Sequence, residues 1–187
     1  MPNLIVISGP NGAGKSTLAP HLLRDAFGIV EYVNADTLAQ GLSAFAPENA
    51  AFDAGRIMIK RLNELASQQK DFAFETTLAS RFYVRWLRTL QLTGYRVHLI
   101  YLGLNKPELA LERVNERVRL GGHNIPQDVI QRRYERGLWN LFELYLPIVD
   151  SWQLFDASKI LPSEIAFGDK LNGETVLDET LWIEIKK

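Results

Sequence analysis

The hydrophobic positions of this chain alternate between two patterns. Short apolar runs, "LIVIS" at residues 4–8, "FAFETT" from Phe72 and "RVHLIYLGL" from Arg96, have the form of strands covered on both faces in a parallel sheet. Between them, apolar residues recur at helical spacing. Leu18, Leu22, Leu23 and Phe27 precede Gly28, and from Glu48 the stripe Phe52, Gly55, Ile59, Leu62 and Ala66 marks a second helix with Pro47 near its start. "IVEYVNAD" reads as a second short strand ending at Asn34 to Asp36, and "SRFYVRWLRTLQLTGY" as a helix that stops at Gly94. Asn105 is expected to cap a helix begun by Pro107, with Leu109, Val114 and Val118 inward. "GGHNIP" separates it from a helix over about 127–146, and "SWQLFDAS" is a fifth strand. The β-rich segments "IAFG" and "LWIEIKK" around "DKLNGETVLDE" predict a small C-terminal β-hairpin appended to the sheet.

This order predicts an α/β three-layer sandwich on a mainly parallel five-stranded sheet. The length of 187 residues, 47% hydrophobic and 23% charged, suits a single domain spanning 1–187, with a core over about 4–158 and a β-rich appendage over about 160–187. The lack of cysteine removes disulfides, thiolate metal sites and thiol nucleophiles. The chain opens on a strand, and no apolar run approaches the roughly 20 residues that cross a bilayer, so a cytoplasmic protein without membrane contact is expected. A net charge of −1 argues against nucleic acid as a partner and makes any basic site local.

The first strand runs into "GPNGAGKST", Gly9 to Thr17. Gly9, four intervening residues (Pro10, Asn11, Gly12, Ala13), Gly14, Lys15 and Ser16 satisfy the phosphate-loop pattern in full. The glycines let backbone N–H groups curl around a β-phosphate, Lys15 reaches the β- and γ-oxygens, and the Ser16 hydroxyl can ligate Mg²⁺. The helix that follows adds partial positive charge at its N-terminus. ATP-type nucleotide with Mg²⁺ is therefore the expected ligand, and the fold sharpens to a P-loop NTPase sandwich. The serine-glycine-glycine signature and paired Asp-Glu strand end of ABC-type cassettes do not occur, nor does a base-reading Asn-Lys-x-Asp segment.

Asp36 follows the second strand at the carboxyl edge, where open α/β sheets bind ligands, and could accept the proton of an attacking hydroxyl; its alternative is to cap the next helix. Glu75 ends the third strand at the same edge beside Thr76 and Thr77. It could face a substrate, pair with a basic residue across the sheet, or hold magnesium through water. Arg113, Arg117, Arg119, Arg132, Arg133 and Arg136 flank "GGHNIP" and suggest a helical lid, of which two or three arginines would touch phosphate. His123 reads as a hinge contact, and Trp86, Trp139 and Trp152 as core.

"GPNGAGKST", "NADTLA", "AGR", "FAFETTLAS" and "RVNERVRLGGHNIPQDVIQRRYERGLWNL" occur in an order that resembles the zeta-toxin-like family of small P-loop kinases, in particular its compact branch, over about residues 4–158. Zeta toxins use ATP to phosphorylate a hydroxyl of UDP-N-acetylglucosamine and are held inactive by an antitoxin. The resemblance implies that Lys15 clamps the γ-phosphate, Ser16 holds Mg²⁺ and Asp36 is the general base. It further implies that Glu75, Thr76 and Thr77 sit by the acceptor with Arg56, and that Arg117 and either Arg132 or Arg133 neutralise the transition state. The body is shorter than in the well-described toxins. The expected function is transfer of the ATP γ-phosphoryl to a small-molecule hydroxyl; the alternatives are a nucleotide switch or slow ATPase in a toxin-antitoxin pair, and a nucleic-acid end kinase.

Overall fold

The computed structural model describes residues 1–122 and 124–186, so the reading of His123 lies outside the described residues. Strand β1 (Asn3–Ser8) leads into helix α1 (Lys15–Pro20). Pro20 has no N–H to continue the α ladder, and the chain widens there into a π-helical turn, His21–Ala26. Then come β2 (Tyr32–Val33), α2 (Ala35–Leu42), a 3₁₀ turn (Pro47–Ala50) and α3 (Ala51–Ser67). β3 (Phe72–Thr76), α4 (Phe82–Leu92) and β4 (Arg96–Gly103) follow, then α5 (Pro107–Arg119) and α6 (Gln127–Asn140), which ends in a second π-helical turn, Leu141–Tyr145. The chain closes with β5 (Ser151–Asp156), β6 (Ser163–Asp169), β7 (Gly173–Val176) and α7 (Glu179–Ile185).

The sheet has seven strands in the order β2-β3-β1-β4-β5-β6-β7. The first five in that order are parallel, as expected, while β6 and β7 continue the same sheet antiparallel. The five-stranded expectation is therefore corrected to seven: the hairpin is part of the sheet. One face is covered by residues of α3, α4, the second π turn and α7 over Leu4, Val6, Phe72, Phe74 and Leu99. The other lies under α1 and its π turn, through Ala19 and Leu23 against Ile5, Ile7 and Ile100. A third cluster, with Ala13, Leu102, Ala110, Val114 and Ile130, fixes α5 and α6 at the carboxyl end of the sheet.

Four local expectations are corrected. "LWIEIKK" alternates like a strand but lies largely in helix α7, because the Asp178 side chain accepts the Leu181 N–H as an N-cap and Trp182 buries its ring parallel to Trp152, centroids 5.8 Å apart. Asn105 does not cap α5; that position is Lys106, and the Asn105 N–H donates to Ser158 Oγ. The inward stripe of α3 is Ala54, Met58, Leu62 and Leu65, which leaves Phe52 78% exposed. Trp139 is half exposed under the Arg81 guanidinium, whereas Trp86 packs on the core rings of Phe72 and Phe74 and Trp152 is buried.

Candidate phosphate-binding and transfer site

Parallel pairing sets Ile7 beside Glu75 and Ser8 beside Thr76, so β1 and β3 release their loops side by side. The turn out of β1 needs glycine at its first position: Gly9 has φ +139°, and a Cβ there would stand 2.2 Å from the Leu102 carbonyl oxygen. At Gly12, φ +80°, a Cβ would press on the Ala110 carbonyl oxygen and Arg113, which lets α5 close down on the loop. α1 begins without a side-chain cap, and the Gly14 carbonyl accepts the Thr17 and Leu18 N–H groups. Asn11 is buried, and its Oδ1 has no hydrogen-bond partner among the described residues.

Lys15 is only 5% exposed, and its Nζ donates to the Pro10 carbonyl oxygen at 2.8 Å and lies 3.6 Å from Glu75 Oε1. Burial pulls its pKa below the ordinary lysine value; Glu75 and Asp36 oppose that, and Arg117 adds to it. Lys15, Glu75, Asp36 and Arg117 thus share one electrostatic neighbourhood.

Glu75 Oε2 collects donors from three elements. Ser16 Oγ reaches it at 2.8 Å, Asn34 Nδ2 at 2.8 Å and the Tyr32 hydroxyl at 2.6 Å. Burial, with the Glu75 carboxylate next, pushes the Tyr32 phenol well above its ordinary pKa, keeping it a donor. Tyr32 and Asn34 lie two residues apart on extended backbone, hence on one side of the strand. Asn34 also donates to Ser16 Oγ at 3.2 Å, while its Oδ1 accepts the N–H groups of Asp36 and Thr37. Asn34 is therefore the N-cap of α2, which leaves the Asp36 carboxylate free of capping.

The segment after β3 is held tightly. Thr76 Oγ1 accepts the Leu78 N–H, and buried Leu78 has φ +59°, a left-handed conformation uncommon outside glycine. α6 secures it: a Cβ on Gly137 would stand 2.3 Å from the Thr77 carbonyl oxygen, Asn140 Nδ2 donates to the Leu78 carbonyl at 2.6 Å, and Tyr145 donates to that of Ser80.

The six arginines separate. Arg117 is half-buried near Lys15, and Arg113 straps the loop by donating to the carbonyls of Gly12, Ala157 and Ser158. Arg133 is half-buried on α6, while Arg119, Arg132 and Arg136 are exposed. Arg56 sits exposed on α3, lining a shallow depression with Ile59, Lys60 and Asn63, so the structure does not bring it to the cluster around Lys15. Thr17 is exposed beside Ser16. Tyr32, the double use of Asn34, Arg113 as a strap, and Gly137 with Asn140 escaped the sequence reading; the i, i+2 pairing of Tyr32 with Asn34 was the available signal.

The family model described as Zeta toxin matches residues 1–146. The chain belongs to the zeta toxin family. An uncharacterised protein of Haemophilus influenzae is 36% identical over 130 residues, 70% of this chain and 91% of the relative. Among solved structures, this zeta toxin family chain is similar to a chain of the AvrRxo1-ORF1:AvrRxo1-ORF2 complex with sulphate ions, at TM-score 0.82 and 17% identity over 100% of its length. It spans 64% of that chain. The same complex solved with ATP gives TM-score 0.79 and 17% identity, with the same coverage. The PezAT toxin-antitoxin system of Streptococcus pneumoniae gives 0.68 at 20% identity, covering 97% of this chain and 77% of that one. At these identities the likeness is one of fold. No helix among the described residues is long and apolar enough to cross a membrane.

Proposed function

We propose that this zeta toxin family member is a kinase that moves the γ-phosphoryl group of ATP to a hydroxyl of a small molecule, a nucleotide sugar such as UDP-N-acetylglucosamine being the first acceptor to test. The observation that carries this reading is the placement of Asp36: capping belongs to Asn34, and the free carboxylate lies within electrostatic reach of buried Lys15. Family membership and the ATP-containing AvrRxo1 complex support it.

The residues present fit a phosphate chain with Mg²⁺: a buried cation, a hydroxyl and a carboxylate stand together at the start of a helix that has no side-chain cap. Ser16 would hold the ion, with Glu75 behind it orienting the hydroxyl, and bound Mg²⁺ would offset phosphate charge. Lys15 exchanges the Pro10 carbonyl for phosphate oxygens, and Arg117, with Arg133 or Arg132, neutralises charge on the group in flight. Asp36 takes the acceptor hydroxyl proton as that oxygen bonds to the γ-phosphorus. The bond from this phosphorus to the bridging oxygen breaks, and ADP leaves. Thr76 and Thr77 stand on the acceptor side. The hydrogen bond from Ser16 Oγ supports a donor-side role for Glu75 in place of the acceptor-side role that the resemblance implies, and exposed Arg56 has no part in the proposed mechanism.

Incubation of the protein with γ-labelled ATP and a metabolite extract, with UDP-N-acetylglucosamine as a separate sample, tests this reading. Label on a hydroxyl-bearing product supports it; tight ATP binding with no labelled acceptor favours a nucleotide switch within a toxin-antitoxin pair.

A further inference from the structure

A groove of about 860 Å³ runs between α6 with its π turn on one side and α7 with the β6–β7 hairpin on the other. The first wall lies within the family match and the second beyond it. Its floor and sides are aromatic, with half-exposed Trp139, Phe142 and the edge of the Trp152–Trp182 stack. Its rim is acidic. Glu143 and Glu174 are exposed there without a hydrogen-bond or ion-pair partner among the described residues, whereas Asp169 is spent on the turn at Leu171 and Asn172.

The chain already shows which chemistry this surface accepts. The Lys186 ammonium lies 3.9 Å from the centre of the Trp182 ring and 5.7 Å from that of Phe142. A cation over two ring faces is attracted by their quadrupoles, and neighbouring carboxylates strengthen the field. Lys186, the C-cap of α7, is exposed, so a better-placed cation can displace it. Trp182 lies on α7 and Lys186 caps its C-terminal end, but Phe142 comes from the opposite wall, so the ammonium bridges the groove.

We propose that this groove docks a lysine- or arginine-bearing segment of a partner protein, whose cation replaces Lys186 over Trp182 and Phe142 while Glu143 and Glu174 pair with its flanking charges. The surface differs from the phosphate loop in composition: one collects cations, the other anions. Docking here is therefore independent of the kinase reading, although α6 touches both, facing the groove through Trp139 and the Thr77 carbonyl through Gly137.

The test titrates the full chain with a short oligolysine peptide and, in parallel, its fully acetylated counterpart, following tryptophan emission. Three of the four tryptophans line the groove. Binding is expected for the cationic peptide only, and Glu143→Gln with Glu174→Gln should weaken it by about tenfold. Lys186→Gln should tighten it by about threefold, because the resident cation is gone, whereas Lys60→Gln, an equal charge change on α3, should leave it unchanged. Equal effects of the two lysine variants, equal binding of the acetylated peptide, or no binding at low salt would overturn the proposal. Sedimentation of the protein alone covers the other occupant: self-association that the paired glutamate variant abolishes would assign the groove to a second copy and overturn the partner assignment. ATP binding is expected to be unaltered in every variant.

Discussion

Asn34 and Glu75 are joined by a 2.8 Å hydrogen bond, and through it the start of α2 is tied to the end of β3. One amide group does two jobs. Its oxygen caps the helix that carries Asp36, and its nitrogen helps aim the carboxylate that meets Ser16. The segments that carry Ser16, Asp36 and Glu75 are therefore tied together.

Substitution at Asn34 should separate these jobs. Asn34→Ala loses the cap and the donor together, costing about 1 kcal/mol, or roughly 2–4 °C in Tm, plus most of the transfer activity. Asn34→Ser keeps a capping oxygen but lacks the amide donor. It is expected to recover the melting temperature without recovering activity. Thermal melts alongside phosphotransfer assays check this, and recovery of both would make the Glu75 contact incidental.

Lys15→Ala removes a buried cation whose nearest fixed acceptor is only the Pro10 carbonyl. Transfer should fall by about 100-fold or more, as for loss of one preorganised electrostatic contact, while the fold is retained. A steady-state assay with a circular dichroism melt reads both. Nearly unchanged turnover would remove Lys15 from the proposed mechanism.

Gly137→Ala places a methyl group 2.3 Å from the Thr77 carbonyl oxygen, a backbone atom with little room to retreat. Loss of about 1–3 kcal/mol is expected, together with a raised KM for the acceptor because the segment from Thr76 to Ser80 shifts. Denaturant unfolding and acceptor titration measure the two effects. Wild-type stability would show that α6 yields there at no cost.

Asp150 supplies a pH dependence away from the site. Burial raises its pKa, but hydrogen bonds from Lys170, the Val97 N–H and Gln91 outweigh it and hold the carboxyl below its ordinary value. A depressed folded-state pKa gives stabilisation that is present above the unfolded value, about 4, and lost as pH falls through the folded one. Asp150→Asn should lower stability at pH 7 and flatten its decline below about pH 4. Melting curves across that range decide it, and parallel curves for the two proteins would count against the contact.

The parallel core was legible because its strands are continuous apolar runs and its helices carry clear stripes, and the loop was legible because every glycine there answers to backbone geometry. Trp182 shows where such reading stops. Strand alternation in "LWIEIKK" is overruled by an Asp178 cap and by a stack on Trp152, a partner thirty positions upstream. Asp36 was legible as a candidate base, but the residue that frees it, Asn34, looked like the end of a strand. Glu75 is similar: its position at the edge could be read, whereas its tie to Ser16 depends on Ser8 lying beside Thr76, a register set by the sheet as a whole.

The proposed role of Asp36 is tested most directly by comparing wild type with Asp36→Asn for transfer of label from γ-labelled ATP to a hydroxyl acceptor, with ATP affinity measured on the same samples. The expected result is a loss of transfer of about 100-fold or more with ATP binding retained, because the variant keeps its shape but cannot take the proton. Unchanged turnover of Asp36→Asn would contradict the assignment of Asp36 as the base.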